Sequence, residues 1–353
     1  MTKTLDGTLA RVGYVVGFTV LIFLPAIASA HEVYVLDEAT IAAGMATASP
    51  NPFTAYMGNE YEFFFWGFVS FVVVSTVLFA SVFRVFEKAL DPALFYLKRW
   101  AHPLVRVTVG MCLVSFGIAG KLYGTEIDIG DIFGLWGIVM QGLLILGGAA
   151  VIAGIYVRTV AAFSIAVYVY SASVLGWYIL TYTDHLGGYL LLLILGAGSW
   201  SLENLWRKGP LSSSLRALLQ PYVPLAFPVM RILFGFGIMF AAIYAKFIHS
   251  ELALNVVHQY NLTAYFPFDP LFIVLGALII EFLAGLMMVL GIEIRWTGLF
   301  LIFWLTLSLL YFQEAVWPHI ILFGLGLAIF CHGYDRYSLE GRFFKRHGIE
   351  PIL

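Results

Sequence analysis

An amine, a carboxylate and an imidazole stand within one apolar region of this chain. Lys246 closes one apolar run, Glu281 lies well inside the next, and His319 opens the last. A carboxylate at mid-membrane depth is expensive unless it is paired or wetted, so Glu281 requires a partner. Lys246 and Arg231 on the preceding run, or Tyr244, are the candidates. Paired, Glu281 would face a polar cavity inside a bundle; dry and alone, it would be protonated. A carboxylate that accepts protons, with Lys246 and His319 donating to a carbonyl, suits a quinone, which needs an apolar slot and a route for protons. Arg231, Tyr244 and His249 are the further residues expected to contact such a cofactor. The same groups equally suit a structural ion pair that fixes helix register.

The elements that must position them are membrane helices. Of the 353 residues 61% are hydrophobic and 11% charged, and the mean hydropathy is +0.92, which fits no soluble domain. Lipid is the first partner this implies. A net charge of −2 without a basic block argues against nucleic acid. Aromatic residues at 17% suit interfacial belts and bundle packing. Cys112 and Cys331 belong to no C-x-x-C motif and read as buried structural thiols.

Residues 1–30 read as a signal peptide: Lys3 and Arg11, an apolar run over 12–24, then Ala28-Ser29-Ala30. An uncleaved first helix is the alternative. Cleavage would leave His31 as the mature terminus, whose amine and imidazole could chelate copper, although no second histidine is near. Residues 31–60 form a short extracytoplasmic segment, and 61–100 carry a first transmembrane helix.

Nine later runs are long enough to span: 62–83, 104–123, 133–157, 160–182, 186–205, 229–248, 270–290, 296–312 and 319–333. Alternating them from an outside amino terminus places every later Lys and Arg at inner ends except Lys121 and Lys246. This is the positive-inside pattern, with the carboxyl terminus in the cytoplasm and the protein in the inner membrane. The fold class expected is all-α and polytopic.

The last eight spans divide into two sets of four. Arg106, Gly110 and Lys121 recur as Arg231, Gly235 and Lys246, at an offset of 125. Gly154-x3-Arg158 recurs as Gly291-x3-Arg295, and Trp200-Ser201-Leu202-Glu203 as Tyr337-Ser338-Leu339-Glu340, both at 137. Four spans per unit keeps the units parallel. The units cover 101–208 and 229–345, joined by a proline-rich cytoplasmic linker at 209–228. The extra 12 residues fall in the outer loop 247–269, which holds His249, Glu251 and His258. Leu144 stands where the second unit has Glu281.

These anchors resemble the DoxX-like family of four-helix membrane proteins: an arginine, a glycine and a lysine on the first helix, a glutamate on the second, then Gly-x3-Arg and a terminal aromatic-Ser-Leu-acidic signature. The second unit fits throughout and the first fits except at Leu144. The resemblance implies tandem four-helix domains and, by analogy with members linked to thiosulfate oxidation, a quinone-linked oxidoreductase subunit. Two other functions stay open: a non-enzymatic assembly or scaffolding subunit of an envelope complex, and a small-anion transporter using the repeated cations. No G-x4-G-K-[ST] occurs and the histidines sit at span ends or in loops, so neither nucleotide nor intrinsic haem is expected. Electrons would have to come from a further membrane or extracytoplasmic subunit.

Overall fold

Backbone amides in hydrocarbon must be satisfied within their own segment, and the apolar runs of this chain accordingly become helices. The computed structural model describes residues 36, 38–82, 87–198, 200–203 and 212–344. The expected signal peptide and His31 lie outside them.

The helices are α1 (Glu38–Ala46), α2 (Glu60–Val82), α3 (Glu87–Lys98), α4 (Ala101–Ala119), α5 (Ile129–Phe133), α6 (Gly137–Ala153), α7 (Val157–Leu175), α8 (Thr183–Leu195), α9 (Ser212–Leu219), α10 (Ala226–Ile243), α11 (Ser250–Gln259), α12 (Pro270–Leu290), α13 (Ile294–Phe312) and α14 (Val316–His332). Each of the nine expected runs falls on one of these. Six helical stretches are long and apolar enough to cross a membrane: Ala101–Ala119, Ile129–Ala153, Val157–Leu195, Arg216–Ile248, Pro270–Leu290 and Ile294–Phe312, with Val316–His332 apolar but shorter. The protein is an all-helical integral membrane protein. One stretch merges two expected runs. The chain is helical from Val157 to Leu195, but Gly176 takes φ +61° and a 3-10 stretch, Gly176–Tyr182, turns α7 back against α8.

The helices pack as a closed ring. α4 lies on α6 and α10 on α12; α7 lies on α8 and α13 on α14. Between these sets α8 packs on α10 and α14 on α4. The centre is filled by Val109, Phe116, Met230, Phe234, Ile321 and Leu325, among others.

The same joints occur at both places that the sequence pairs. Gly154 and Gly291 end α6 and α12 at φ +72° and +70°. Both are left-handed positions in which a Cβ would meet Ser201 or Ser338 within 2.5 Å and the guanidinium of Arg106 or Arg231 at 2.9 Å. The carbonyls of these two glycines accept from the N–H of Glu203 (3.2 Å) and of Glu340 (2.9 Å). Arg158 donates to the carbonyls of Leu193, Ile194 and Leu195 at the end of α8, and Arg295 to that of Phe330 in α14. Gly110 and Gly148 let α4 and α6 approach closely, as Gly235 and Gly285 do for α10 and α12.

Arg231 belongs to this joint. It donates to the carbonyls of Met288 and Val289 and stands 3.5 Å from Asp335. Its expected place beside Glu281 is therefore corrected: the arginine is nearly four helical turns from Lys246 and is consumed by the end of α12.

At the opposite end of the ring, α11 is built from the loop 247–269. Leu252 and Val256 pack beneath Leu36, while Ala253 and Val257 pack on Val274 of α12. Ser250 donates to the Pro50 carbonyl, and Ala55 packs on Phe272 and Leu275. Residues 38–59 thus have no core of their own and lie across this end. Cys112 and Cys331 are buried and unlinked.

Candidate functional site

The two cation-tipped helices end differently, and this difference creates the site. α4 leaves helical geometry at Gly120 (φ +68°), which drops Lys121 into the following loop. There it meets Asp128 at 3.1 Å, with side chains 35% and 46% exposed. Asp128 sits below the usual carboxylate range, first because the Gly130 N–H donates to it and then through Lys121. α10 instead continues through a π turn, Tyr244–Ile248, closed by the His249 N–H on the Tyr244 carbonyl at 3.0 Å. A π turn holds one residue more than an α turn and shifts the side chains that follow it, a distortion common at functional sites. Here it carries Lys246 into the bundle.

Lys246 Nζ lies 3.0 Å from Glu281 Oε2, with side chains 10% and 19% exposed. The Trp304 indole donates to the other oxygen, Oε1, at 3.2 Å. The carboxylate is thus held from two helices. Such a pair repays the loss of water only with good geometry and extra hydrogen bonds, and the indole supplies one.

The pair lines a cavity of about 580 Å³ between the two halves of the ring. α10 contributes Ala241 and Tyr244, α12 Val274 and Ala277, α13 Leu301 and Ser308, and α11 Ala253 and Val257. The lining is mainly apolar, with a few converging polar groups, as small-molecule sites are.

His319 also lines it, in the first turn of α14. Its Nδ1 lies 3.0 Å from the Ala315 carbonyl and therefore carries the hydrogen of that contact. Its Nε2 is 3.0 Å from Glu314 Oε2, and Ser308 donates to Glu314 Oε1 at 2.8 Å. The first half supplies a related couple, Asp184 and His185, 3.1 Å apart and buried in the cavity wall. Near them the phenols of Tyr178 (2.9 Å) and Tyr182 donate to Glu126 Oε1.

Of the residues expected from sequence, Lys246, Glu281, His319 and Tyr244 meet at this cavity. His249 does not line it; its ring packs on Tyr244 at 4.7 Å, and burial pushes its imidazole below the ordinary value. Arg231 is absent from it. Leu144, at the place corresponding to Glu281, is buried among α4 and α6 side chains with no carboxylate to balance. Among the described residues no three His, Cys, Asp or Glu side chains converge as a metal site would require. His185 is the sequence counterpart of His319 in the first unit, whereas Trp304, Glu314 and the pairing of His185 with Asp184 carry no such mark. Trp304 looks like any belt aromatic, and Glu314 like a solvated loop residue. The surviving signal was a histidine shortly after an acid at a span's outer start, which both His185 and His319 show.

In comparisons with protein-family models, curated proteins and solved structures, nothing matches this chain.

Proposed function

We propose that this protein is a quinone-binding membrane subunit of an oxidoreductase, with the site in the cavity around Lys246 and Glu281. The observation that carries this reading is the largely buried Lys246–Glu281–Trp304 cluster, set in the wall of an apolar cavity large enough for a substituted ring. A purely structural pair would be sealed by side chains. This one borders open space.

In this reading the ammonium of Lys246 donates to one quinone carbonyl, and the His319–Glu314 dyad serves the second. Reduction to the quinol takes two electrons and two protons. The protons pass from these two donor groups and are replaced through Glu281 and Glu314; the electrons come from a redox centre on a partner subunit. Sulfur-compound oxidation is the associated chemistry that the DoxX-like resemblance suggests. The topology belongs to the same proposal: two parallel four-helix units preceded by α2, nine crossings, the cavity end facing outward and the carboxyl terminus in the cytoplasm of an inner membrane. The joints repeated around Gly154 and Gly291 support the two units.

Anion transport is less well supported, since Lys121 and Lys246 each already hold a carboxylate at about salt-bridge distance. The test is quinone binding by purified protein and by Glu281→Gln and Lys246→Met. A loss of about tenfold or more in both variants is expected; binding equal to wild type in both would refute the assignment.

A further inference from the structure

The exposed part of the cavity's lining is confined to one place, and its surroundings define what passes through it. Among all its lining residues only Tyr265, Phe266, Leu307 and Tyr311 are exposed, at 68%, 52%, 47% and 40%. The four are neighbours. Tyr265 and Tyr311 meet ring to ring at 5.7 Å, and the Tyr311 hydroxyl donates to the Tyr260 carbonyl at 3.1 Å.

Leu307 and Tyr311 are one turn apart on α13, where the exposed surface is apolar: Phe303 is 58% and Leu310 is 68% exposed. On a membrane-crossing helix such a face meets acyl chains, and tyrosines at its end mark the headgroup boundary. The end of the bundle nearest water is closed instead. There α11 presents buried Ala253, Val256 and Val257 to the cavity, and Leu36 together with Ile41 of α1 packs over Leu252 of α11. Of the polar groups, His319 is buried and the Glu281 side chain is 19% exposed, and Ala277 and Ile273 continue the apolar lining along α12 from Glu281.

We infer that the ligand reaches this site sideways from the lipid, through a mouth formed by Leu307, Tyr311, Tyr265 and Phe266, and that it carries an apolar tail which stays in that mouth while the headgroup lies at Lys246 and Glu281. The inference rests on the quinone reading and narrows it to membrane-dissolved, long-tailed quinones as against water-borne ones. A headgroup entering from water would need a polar door, and the cavity offers an aromatic one.

The test uses two benzoquinone probes that share a headgroup, one with a methyl and one with a decyl substituent, and full-length protein in lipid nanodiscs. Binding is read directly, as retention of the radiolabelled probe by the nanodiscs relative to empty nanodiscs. Leu307→Trp narrows the mouth; Phe303→Trp, on the same exposed face but outside the cavity, is the control. The decyl probe is expected to bind wild type about tenfold or more tighter than the methyl probe. Leu307→Trp should abolish most of that preference and leave the methyl probe within about threefold, and Phe303→Trp should change neither. Equal binding of the two probes, or a preference that survives Leu307→Trp, overturns the lateral mouth while leaving the quinone site standing. Failure of both probes to bind wild type removes the quinone reading and this inference with it.

Discussion

The first and second halves of the ring share a pattern of joints at one end and differ most at the other. Lys121 holds Asp128 on the surface of a loop, whereas Lys246 holds Glu281 inside a cavity. At that other end both halves set a glycine against a serine and an arginine, although Arg106 donates to the Ala197 carbonyl and Arg231 to those of Met288 and Val289 beside Asp335. What is repeated therefore builds the helices into a ring, and what is not repeated makes a site. The site differs from the first half in a π turn in place of a left-handed glycine, a carboxylate in place of Leu144, the added helix α11 and the indole of Trp304.

The largest expected effect breaks that contrast. Lys246→Met leaves the buried Glu281 without its cation and should cost about 3–5 kcal/mol of stability. Thermal unfolding in detergent would show it, and Lys246→Met with Glu281→Leu, which copies the first half's solution, should recover most of it. If the single substitution is as mild as Lys121→Met, the pair is not effectively buried.

Next come the joints, which should not distinguish the halves. Gly154→Ala and Gly291→Ala each force a side chain at positive φ and against a serine, at about 1–3 kcal/mol or more from the backbone alone. Similar losses in both variants are expected; a cost confined to one half would show that the two joints are not equivalent. Trp304→Phe keeps an aromatic ring, though a smaller one, and removes one hydrogen bond to a carboxylate, worth about 1.5–3 kcal/mol. Quinone binding should weaken in parallel with the melting temperature.

On the first half the effects are small. Lys121→Met should cost less than about 1 kcal/mol, because both partners are well exposed and screened. Asp128 is held below its ordinary value, so its contribution is present above the unfolded carboxylate value and fades as pH falls below about 4. Protection of the 120–128 backbone against hydrogen exchange should fall in that window and lose its pH dependence in Asp128→Asn.

Much of the architecture was legible in advance. The apolar runs and the repeated motifs around Gly154 and Gly291 follow from local sequence, and the cost of a lone carboxylate leaves Lys246 among three candidate partners of Glu281, of which the structure selects it. Arg231 was misplaced because sequence ordering cannot reveal that Asp335, on a loop far along the chain, and the end of α12 close around it. The π turn left no sequence mark, since five ordinary residues, Tyr244 to Ile248, adopt it. Trp304 and Glu314 were missed for a related reason: their role depends on which face of α13 and its following turn the ring encloses, and an almost uniformly apolar helix carries no stripe to show it.

The closed ring has a consequence for partnership. α8 packs on α10 and α14 on α4, so each half offers its last helix to the other's first and receives the same in return. Faces that exchange in this way are self-complementary, the arrangement by which two identical subunits pair about a two-fold axis. Two separate copies would have to be alike, with a carboxylate on both sides of the centre or on neither. Joined in one chain, they need not match, and the site at Glu281 is built on that freedom.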